Sequence, residues 1–501
     1  MRTKKSFLNL FFNLSGQGIN ILYGFIVPSL IIRIYGSSVN GLVGSITQLL
    51  GYIALFELGI GAVIRSTLYK PLAKKSKKDI RKILKASDKF MRKLSYLFLF
   101  YVFILVCFYP MIVEKEFDFI FTVSLILIIA TKTFAQYYFG MTYEIFLHAS
   151  QNGYINALFH MGTDIINLIL IVILCHMHVS IQCLKLVTIL PHVVRPILQS
   201  WYVKKKYQIE FTKEDDGYVF KNRYHGIAQH IAYTIHMNTD VLLLTIFKPI
   251  KLVSVYDIYA KIVTGIQTFI VAISASFSAS FADMVARNEI KNLNEKFGIY
   301  ETWYNFLCTI IYTCTLTLII PFIGIYTKGV EDVNYIQELF SIIFICGGMI
   351  YALEIPYNSL TNSAGLFKET RLGAILEAVI NMGLSILLIH KFDLVGVAIG
   401  TLIAMLFRMI DLLIKANKYV LKRNIGVSIK KLAVVAINVL IVVFIARYLP
   451  LLETRNYFNW FINALMIASI SAIVSFITNY IADKQNLIGA FVFLKKRKQK
   501  L

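Results

Sequence analysis

The chain reads as an all-α protein that crosses a membrane many times. Three observations predict this. Of 501 residues, 57% are hydrophobic and only 16% charged, against about 25% charged in soluble domains. Apolar stretches of about 20 residues, enough to span a hydrocarbon core of roughly 30 Å as helix, recur from end to end. Basic residues also collect in alternate connections between these stretches. The weak ten-residue alternation of a membrane barrel does not appear.

Taken in order, the apolar runs predict spans at 8–34, 40–64, 94–113, 118–141, 153–176, 179–201, 223–247, 252–280, 303–325, 334–357, 370–390, 394–416, 432–450 and 457–482, about fourteen transmembrane helices. The first follows MRTKKS and has no small-residue cleavage site, so it is expected to be a true span rather than a removed leader. The third follows the basic segment KPLAKKSKKDIRKILKASDKFMRK at 70–93, read as an inner loop. The sixth ends at Lys204 to Lys206, the twelfth and thirteenth flank the basic stretch from Lys415 to Lys431, and the last leads into KKRKQK. With both termini cytoplasmic, these inner segments hold most of the 51 Lys and Arg. The formal net charge of +23 then follows from topology and from attraction to anionic lipid heads, worth about 1 kcal/mol per basic residue. It calls for no nucleic acid.

The first and seventh spans both start inside. Six-helix blocks at 1–201 and 223–417 would therefore share one orientation, joined by a cytoplasmic linker at 202–222 and followed by two further helices at 432–482 and a basic cytoplasmic tail at 483–501. That arrangement predicts two six-helix bundles around a central cavity plus two C-terminal helices. The outer loops are too short to carry a catalytic domain, and no phosphate-binding glycine loop or Ser-His-Asp pattern is present. An enzyme or an ATP-driven pump is not expected.

Ionisable residues inside the spans carry the functional signal, because a charge at mid-bilayer costs at least about 2.5 kcal/mol and must face protein or water. Asp257 and Lys261 lie one turn apart on the eighth span, with Tyr256 and Tyr259 beside them, and the seventh span brings Asn238 and Asp240 to a similar depth. Arg408 with Asp411, and His160 with Asp164, also have helical spacing for local pairs. Lys132 is about two turns from the nearer boundary and wants an anionic partner. Arg195 stands between Pro191 and Pro196, whereas Arg33 and Arg65 close their spans, where snorkelling to headgroups also explains a base. Glu57 lies in the second span. NLSGQGIN in the first, with Ser15, Gly16, Gln17 and Gly18 below Pro28, reads either as a hinge or as a close helix contact. His176 and His178, and likewise His225, His230 and His236, lack the spacing of a metal site. No metal or cofactor is expected.

At this point the segment RIYGSSVNGLVGSITQLLGYIALFELGIGAVIRSTLYKPLA resembles the Wzx-type polysaccharide flippases of the multidrug/oligosaccharidyl-lipid/polysaccharide superfamily. The residues concerned are Arg33, Gly36, the departure Asn40-Gly41, and Leu58-Gly59-Ile60-Gly61. The stretch NTDVLLLTIFKPIKLVSVYDIYAKIV resembles the family again through Asn238, Asp240, Tyr256 and Ala260, with Ser254 or Val255 where a glycine is usual. The resemblance implies a MATE-like fold in a bacterial cell membrane and a flippase that carries undecaprenyl-diphosphate-linked oligosaccharide to the outer leaflet by alternating access. It implies phosphate contacts at Lys261, Lys132, Arg33 and Arg65, since such bases match phosphate oxygens, with Asp257 holding Lys261 in place. It implies sugar contacts at Asn238, Tyr256, Tyr259 and Gln17. A coupling ion, H+ or Na+, would fall to His160 with Asp164, Glu57 or Asp240. A polysaccharide polymerase and glycosyltransferases of the same pathway are the implied partners, besides membrane lipid. A lipid II flippase, a cation-coupled multidrug exporter and a polymerase or ligase are the rival readings.

Overall fold

The computed structural model describes residues 2–57, 60–212, 215–218 and 227–498. Leu58, Gly59 and His225 lie outside them, as do the side chains of His230 and His236. Every regular element among the described residues is helical. Contacts divide the chain into two compact units, Met1–Ile258 and Tyr259–Leu501.

In the N-terminal unit, α1 (Arg2–Tyr35) turns at Gly36, whose φ of 86° lies in the left-handed region open to glycine, into α2 (Ser37–Gly51). The second predicted span is not one continuous helix. After α2 come the single turn α3 (Ala54–Glu57) and then α4 (Ile60–Lys74). The basic segment at 70–93, expected as a loop, is also helical: α4 runs on through Pro71, and α5 (Lys77–Val113) begins there. Its start is capped by Ser76, whose hydroxyl accepts from the Asp79 N–H at 3.4 Å and donates to the Asp79 carboxylate at 2.7 Å. Hydropathy alone misses such an extension because the helix continues past the membrane into water.

α6 (Phe119–Ala135) passes through a π-turn, Gln136–Gly140, into α7 (Met141–Ala149). α8 (Gly153–His176) and α9 (Ile181–Tyr207) follow, the latter capped by the Ser180 hydroxyl, which accepts from the Cys183 N–H at 3.3 Å. After the linker, α10 (Ile227–Phe247) leads into α11 (Ile250–Ala286). Small residues let α2 meet the start of α11 closely: a Cβ on Gly41 would stand 2.1 Å from the Ile250 carbonyl oxygen. Asn40 donates to the Ser254 hydroxyl at 2.8 Å, and Ser45 pairs with Thr245 at 2.7 Å.

The described part of the linker packs on α5. Lys85 reaches the Thr212 carbonyl and the Asp216 carboxylate, both at 2.7 Å, and Arg81 lies 3.5 Å from Asp215. The Thr212 backbone N–H, 2.9 Å from Asp215 Oδ2, together with the Thr212 hydroxyl and Arg81, holds that carboxyl below the usual carboxylate range.

The C-terminal unit continues with α12 (Ile290–Tyr326), α13 (Glu338–Ser363), α14 (Phe367–Lys415) running into a second π-turn, Ala416–Leu421, then α15 (Gly426–Tyr448) and α16 (Tyr457–Lys498). Twelve helices among the described residues are long and apolar enough to cross a membrane. Two facts relate that number to the fourteen spans read from the sequence. α10 is a helix of 21 residues that is not among the twelve. α14 contains two spans, for Asp393 (φ 48°, ψ −125°) breaks it. The chain reverses there: Gly396 faces the Leu388 carbonyl, Gly400 faces Ser385, and Asn381 donates to Thr401 at 2.8 Å.

Two buried ion networks tie this unit together. The Glu301 carboxylate of α12, 0% exposed, receives Arg423 at 2.9 Å, Lys431 of α15 at 3.0 Å, the Tyr357 hydroxyl of α13 at 2.7 Å and the Ser428 hydroxyl at 3.0 Å. Lys431 also lies 3.3 Å from Asp483 of α16. The second network has Arg408 between Glu377 at 3.4 Å and Asp411 at 3.3 Å, with Lys415 closing on Asp411. The Arg408 and Asp411 spacing read from the sequence thus forms a contact, within a larger set.

Candidate functional site

Within the membrane-spanning helices of the N-terminal unit lies a ring of four polar side chains from four consecutive segments. Gln136 comes from the π-turn, Glu144 from α7, His160 from α8 and Arg195 from α9. Arg195 Nη2 donates to Gln136 Oε1 at 2.7 Å, and Gln136 Nε2 donates to Glu144 Oε2 at 2.6 Å. Glu144 Oε1 lies 3.6 Å from His160 Nε2, and His160 Nδ1 stands 2.7 Å from Arg195 Nη1. The four groups close on themselves.

Local sequence builds this ring. A π-turn inserts an extra residue into a helix and so rotates the side chains that follow it relative to those before. Here it sets Gln136 opposite α9. Gly140 lets the two backbones approach, because a Cβ there would meet Pro196 Cβ at 2.6 Å. Arg195 is the residue before Pro196 and is only 7% exposed. Its Nε has no hydrogen-bond partner among the described residues. Behind the ring, Gln199 donates to Asn156 at 2.5 Å, and Asn156 donates to the Glu144 carbonyl at 3.0 Å, fixing α7, α8 and α9 to one another.

Further charges flank it. The exposed Lys132 of α6 has Arg195 and Asp164 as its charged neighbours, so the carboxylate partner expected for it is Asp164. Asp164 also neighbours His160, one turn away on α8. His192 of α9 bonds Asn167 of α8 at 2.7 Å, and Asn167 donates to Tyr23 of α1 at 3.0 Å. Towards the C-terminal end of α7, His148 has Glu144, Arg65 and His160 as charged neighbours. Basic, acidic and imidazole groups therefore share one bundle. Among the described residues no three His, Cys, Asp or Glu are placed to hold a metal ion.

The remaining sequence candidates are distributed as follows. Glu57 accepts from the Tyr137 hydroxyl at 3.4 Å. Asp240 and Tyr256 are both buried and bonded to each other at 2.9 Å, while Asn238 donates to the Thr234 carbonyl of its own helix at 2.6 Å. Asp257 is half-buried on α11 with its carboxylate facing Gly44 of α2. Arg33 and Arg65 are exposed, and Gln17 is half-buried on α1, next to Gly16, which packs on Met161 of α8. In the C-terminal unit Lys261 is half-buried. Tyr259 is fully buried, with its hydroxyl donating to the Tyr335 carbonyl at 2.8 Å and accepting from the Gln337 N–H at 3.3 Å. The structure thus brings Lys132, His160 and Asp164 together around Arg195, and joins Asp240 to Tyr256.

Sequence reasoning did not single out Gln136, Glu144 or His192. Glu144 lies beyond the expected fourth span, 118–141, whereas the helix continues to Ala149. The apolar trio Ile145, Phe146 and Leu147, all buried, was the available signal.

No protein-family model matches the sequence, and no curated protein matches it. Solved structures do. A lipid II flippase MurJ in an inward closed conformation aligns with a TM-score of 0.69 at 15% identity, covering 95% of this chain and 98% of that one. An inward-facing multidrug resistance MATE family transporter of the MOP superfamily aligns at 0.57 and 13% identity, covering 84% and 96%. A MATE protein in complex with MaL6 aligns at 0.58 and 13%, covering 86% and 97%. This chain is a multi-pass membrane protein with the helical fold that the lipid II flippase and the MATE transporters share.

Proposed function

We propose that the protein is a flippase that moves an undecaprenyl-diphosphate-linked oligosaccharide from the inner to the outer leaflet by alternating access. It would act in a bacterial cell membrane with both termini cytoplasmic. The observation that carries the reading is Arg195: a buried guanidinium at membrane depth, with an unpartnered Nε, beside the ammonium of Lys132. Burying the Arg195 guanidinium with a second base beside it is costly unless an anion visits them, and guanidinium and ammonium groups are the side chains that hold phosphate oxygens.

In this reading Lys132 and Arg195 bind the diphosphate, with Lys261, Arg33 and Arg65 as further contacts along its route and Asp257 positioning Lys261. Asn238, Tyr256 and Gln17 meet sugar hydroxyls. Tyr259 joins them only if its hydroxyl leaves the Tyr335 carbonyl. Asp240, Glu57, His160 and Asp164 are the groups that take a coupling cation. A dianion leaving a cell negative inside gains about 2.3 kcal/mol per charge per 100 mV, roughly 4 to 5 kcal/mol in all. No nucleotide is required. The six-helix blocks 1–201 and 223–417 are the bodies whose rocking would expose the site to each side in turn. Glycosyltransferases that load the lipid and a polymerase that consumes it are the implied partners.

One observation favours a second reading. The lipid II flippase aligns over more of this chain, and at a higher TM-score, than the MATE transporters quoted. The same carrier lipid with a peptidoglycan load would satisfy the same bases. A multidrug exporter of organic cations is disfavoured by Lys132 and Arg195. Conditional depletion separates the readings: loss of a surface glycan with continued wall growth supports the proposal, and arrested wall growth supports the lipid II reading. Replacing Lys132 by Ala, at controlled protein level, should reduce flipping of the lipid-linked glycan in reconstituted vesicles. Unchanged flipping would remove Lys132 from the phosphate role.

A further inference from the structure

The hydrogen-bond ring fixes more than a position; it fixes where protons lie. A guanidinium can only donate, so His160 Nδ1, 2.7 Å from Arg195 Nη1, must accept and carries no hydrogen. The neutral imidazole then holds its proton on Nε2, on the side of Glu144 Oε1. Glu144 accepts from Gln136 through its other oxygen, and Gln136 in turn accepts from Arg195 Nη2. Every donor in the circuit has a single direction.

We infer that Arg195 and His160 form a latch in which anion binding by the guanidinium and proton uptake by the imidazole are one coupled event. An imidazolium has a hydrogen on both nitrogens, so a proton on Nδ1 would set two donors against each other at hydrogen-bond distance. His160 takes its second proton only when Arg195 has swung away. Arg195 swings away when an anion's oxygens replace the imidazole, and it then offers Nη1 together with the already unpartnered Nε. The reaction is a binding equilibrium: one proton passes from water to His160 Nδ1 as one anion joins Arg195. By reciprocity the proton tightens the anion as much as the anion tightens the proton.

The surrounding groups fit this sense. His160 is faced by Glu144 and His148 of α7, by Arg195 and His192 of α9 and by Asp164 of its own helix. Tyr23 of α1 and Lys132 of α6 reach Asp164, and Arg65 of α4 reaches His148. Glu144 and Asp164, the two carboxylates in the set, stand ready to hold an imidazolium once the guanidinium is occupied by its anion. His160 keeps a 39% exposed side chain, so the imidazole is not sealed inside the bundle.

This rests on the diphosphate reading only for the identity of the anion. The test uses the full-length protein in nanodiscs with 15N-labelled histidine, the His160 signal being assigned by its loss in H160Q. At rest the wild type should show the Nε2–H tautomer at His160. In R195Q, where the amide can either donate or accept, that tautomer preference should be lost and the Nδ1–H form should appear beside it. Inorganic pyrophosphate should bind the wild type about tenfold more tightly at pH 6 than at pH 8 relative to H160Q, whose carbonyl can still accept from Arg195 but cannot titrate. Pyrophosphate's own titration is common to both proteins and cancels. An Nδ1–H tautomer in the resting wild type, or an unchanged tautomer in R195Q, overturns the latch; if H160Q does not fold, the signal is assigned by its loss in H160N and this arm still decides the matter. Pyrophosphate binding with the same pH profile in both proteins overturns the linkage and leaves the flippase reading standing. A wild type that shows the tautomer, and its loss in R195Q, but binds no pyrophosphate overturns the phosphate subsite of the flippase reading, and with it the link to an anion.

Discussion

Arg195 Nη1 lies 2.7 Å from His160 Nδ1, joining α9 to α8 in the interior of the N-terminal unit. The contact is directional. Its other terminal nitrogen holds Gln136 at the same distance, so a single planar fork ties two segments at once.

Replacing Arg195 by Lys should therefore fail to restore function. An ammonium keeps the charge but cannot reach Gln136 and His160 with fixed geometry. Losing one charge-assisted hydrogen bond costs about 1.5 to 3 kcal/mol, which is roughly a 10- to 100-fold loss if the contact matters to binding. R195K should lower flipping of the lipid-linked glycan by that order at equal protein level. Full activity in R195K would mean that charge alone suffices.

The approach of α9 to the π-turn depends on Gly140. A larger residue there must push Pro196 away and drag Arg195 off Gln136, since the added Cβ would also stand 3.3 Å from Gln136 Oε1. G140V should lower stability by about 1 to 3 kcal/mol, the usual penalty of overpacking. G162A is the matched control, because nothing lies within 4 Å of the Cβ it adds. Thermal melting in detergent should show a lower midpoint for G140V and an unchanged or raised one for G162A.

Glu301 should be the most sensitive single position in the C-terminal unit. Removing its carboxylate leaves Arg423 with no carboxylate among the described residues and Lys431 with Asp483 alone, and breaking a buried pair from one side costs about 3 to 5 kcal/mol. E301A should melt far below the wild type and release α15 and α16 to proteolysis first. Wild-type melting of E301A would show that water reaches the two bases.

The linker gives a pH prediction with a definite sign. The Asp215 carboxyl sits below its ordinary value of about 3.9 because the Thr212 N–H and hydroxyl bond its charged form. A depressed carboxyl stabilises the fold above its unfolded value and loses that contribution as pH falls through the lower, folded value. Pepsin cleavage between α9 and α10 should accelerate as pH drops below about 4, and D215N should show the open linker to trypsin already at pH 7. Identical trypsin cleavage of wild type and D215N would leave the anchoring to Lys85 alone.

What the sequence determined by itself was the class of the protein and the course of its chain. Each apolar run must become a helix, because a backbone in hydrocarbon has no water to satisfy it, and that requirement is local. It located the helices at both sides of Asp393 as separate spans and marked Lys132, His160, Asp164 and Arg195 as charges in the wrong solvent. Tertiary structure decided what those charges face. His160 and Asp164 looked like a self-contained pair at helical spacing, yet the imidazole turns to Arg195 and Glu144 on neighbouring helices. Tyr259 looked like a sugar contact, yet its hydroxyl is spent on the Tyr335 backbone. Periodicity reports which face of a helix is polar. The rotation and close approach that give that face its partner come from the π-turn at Gln136 and the missing Cβ of Gly140 against Pro196, and neither is a property of any one segment.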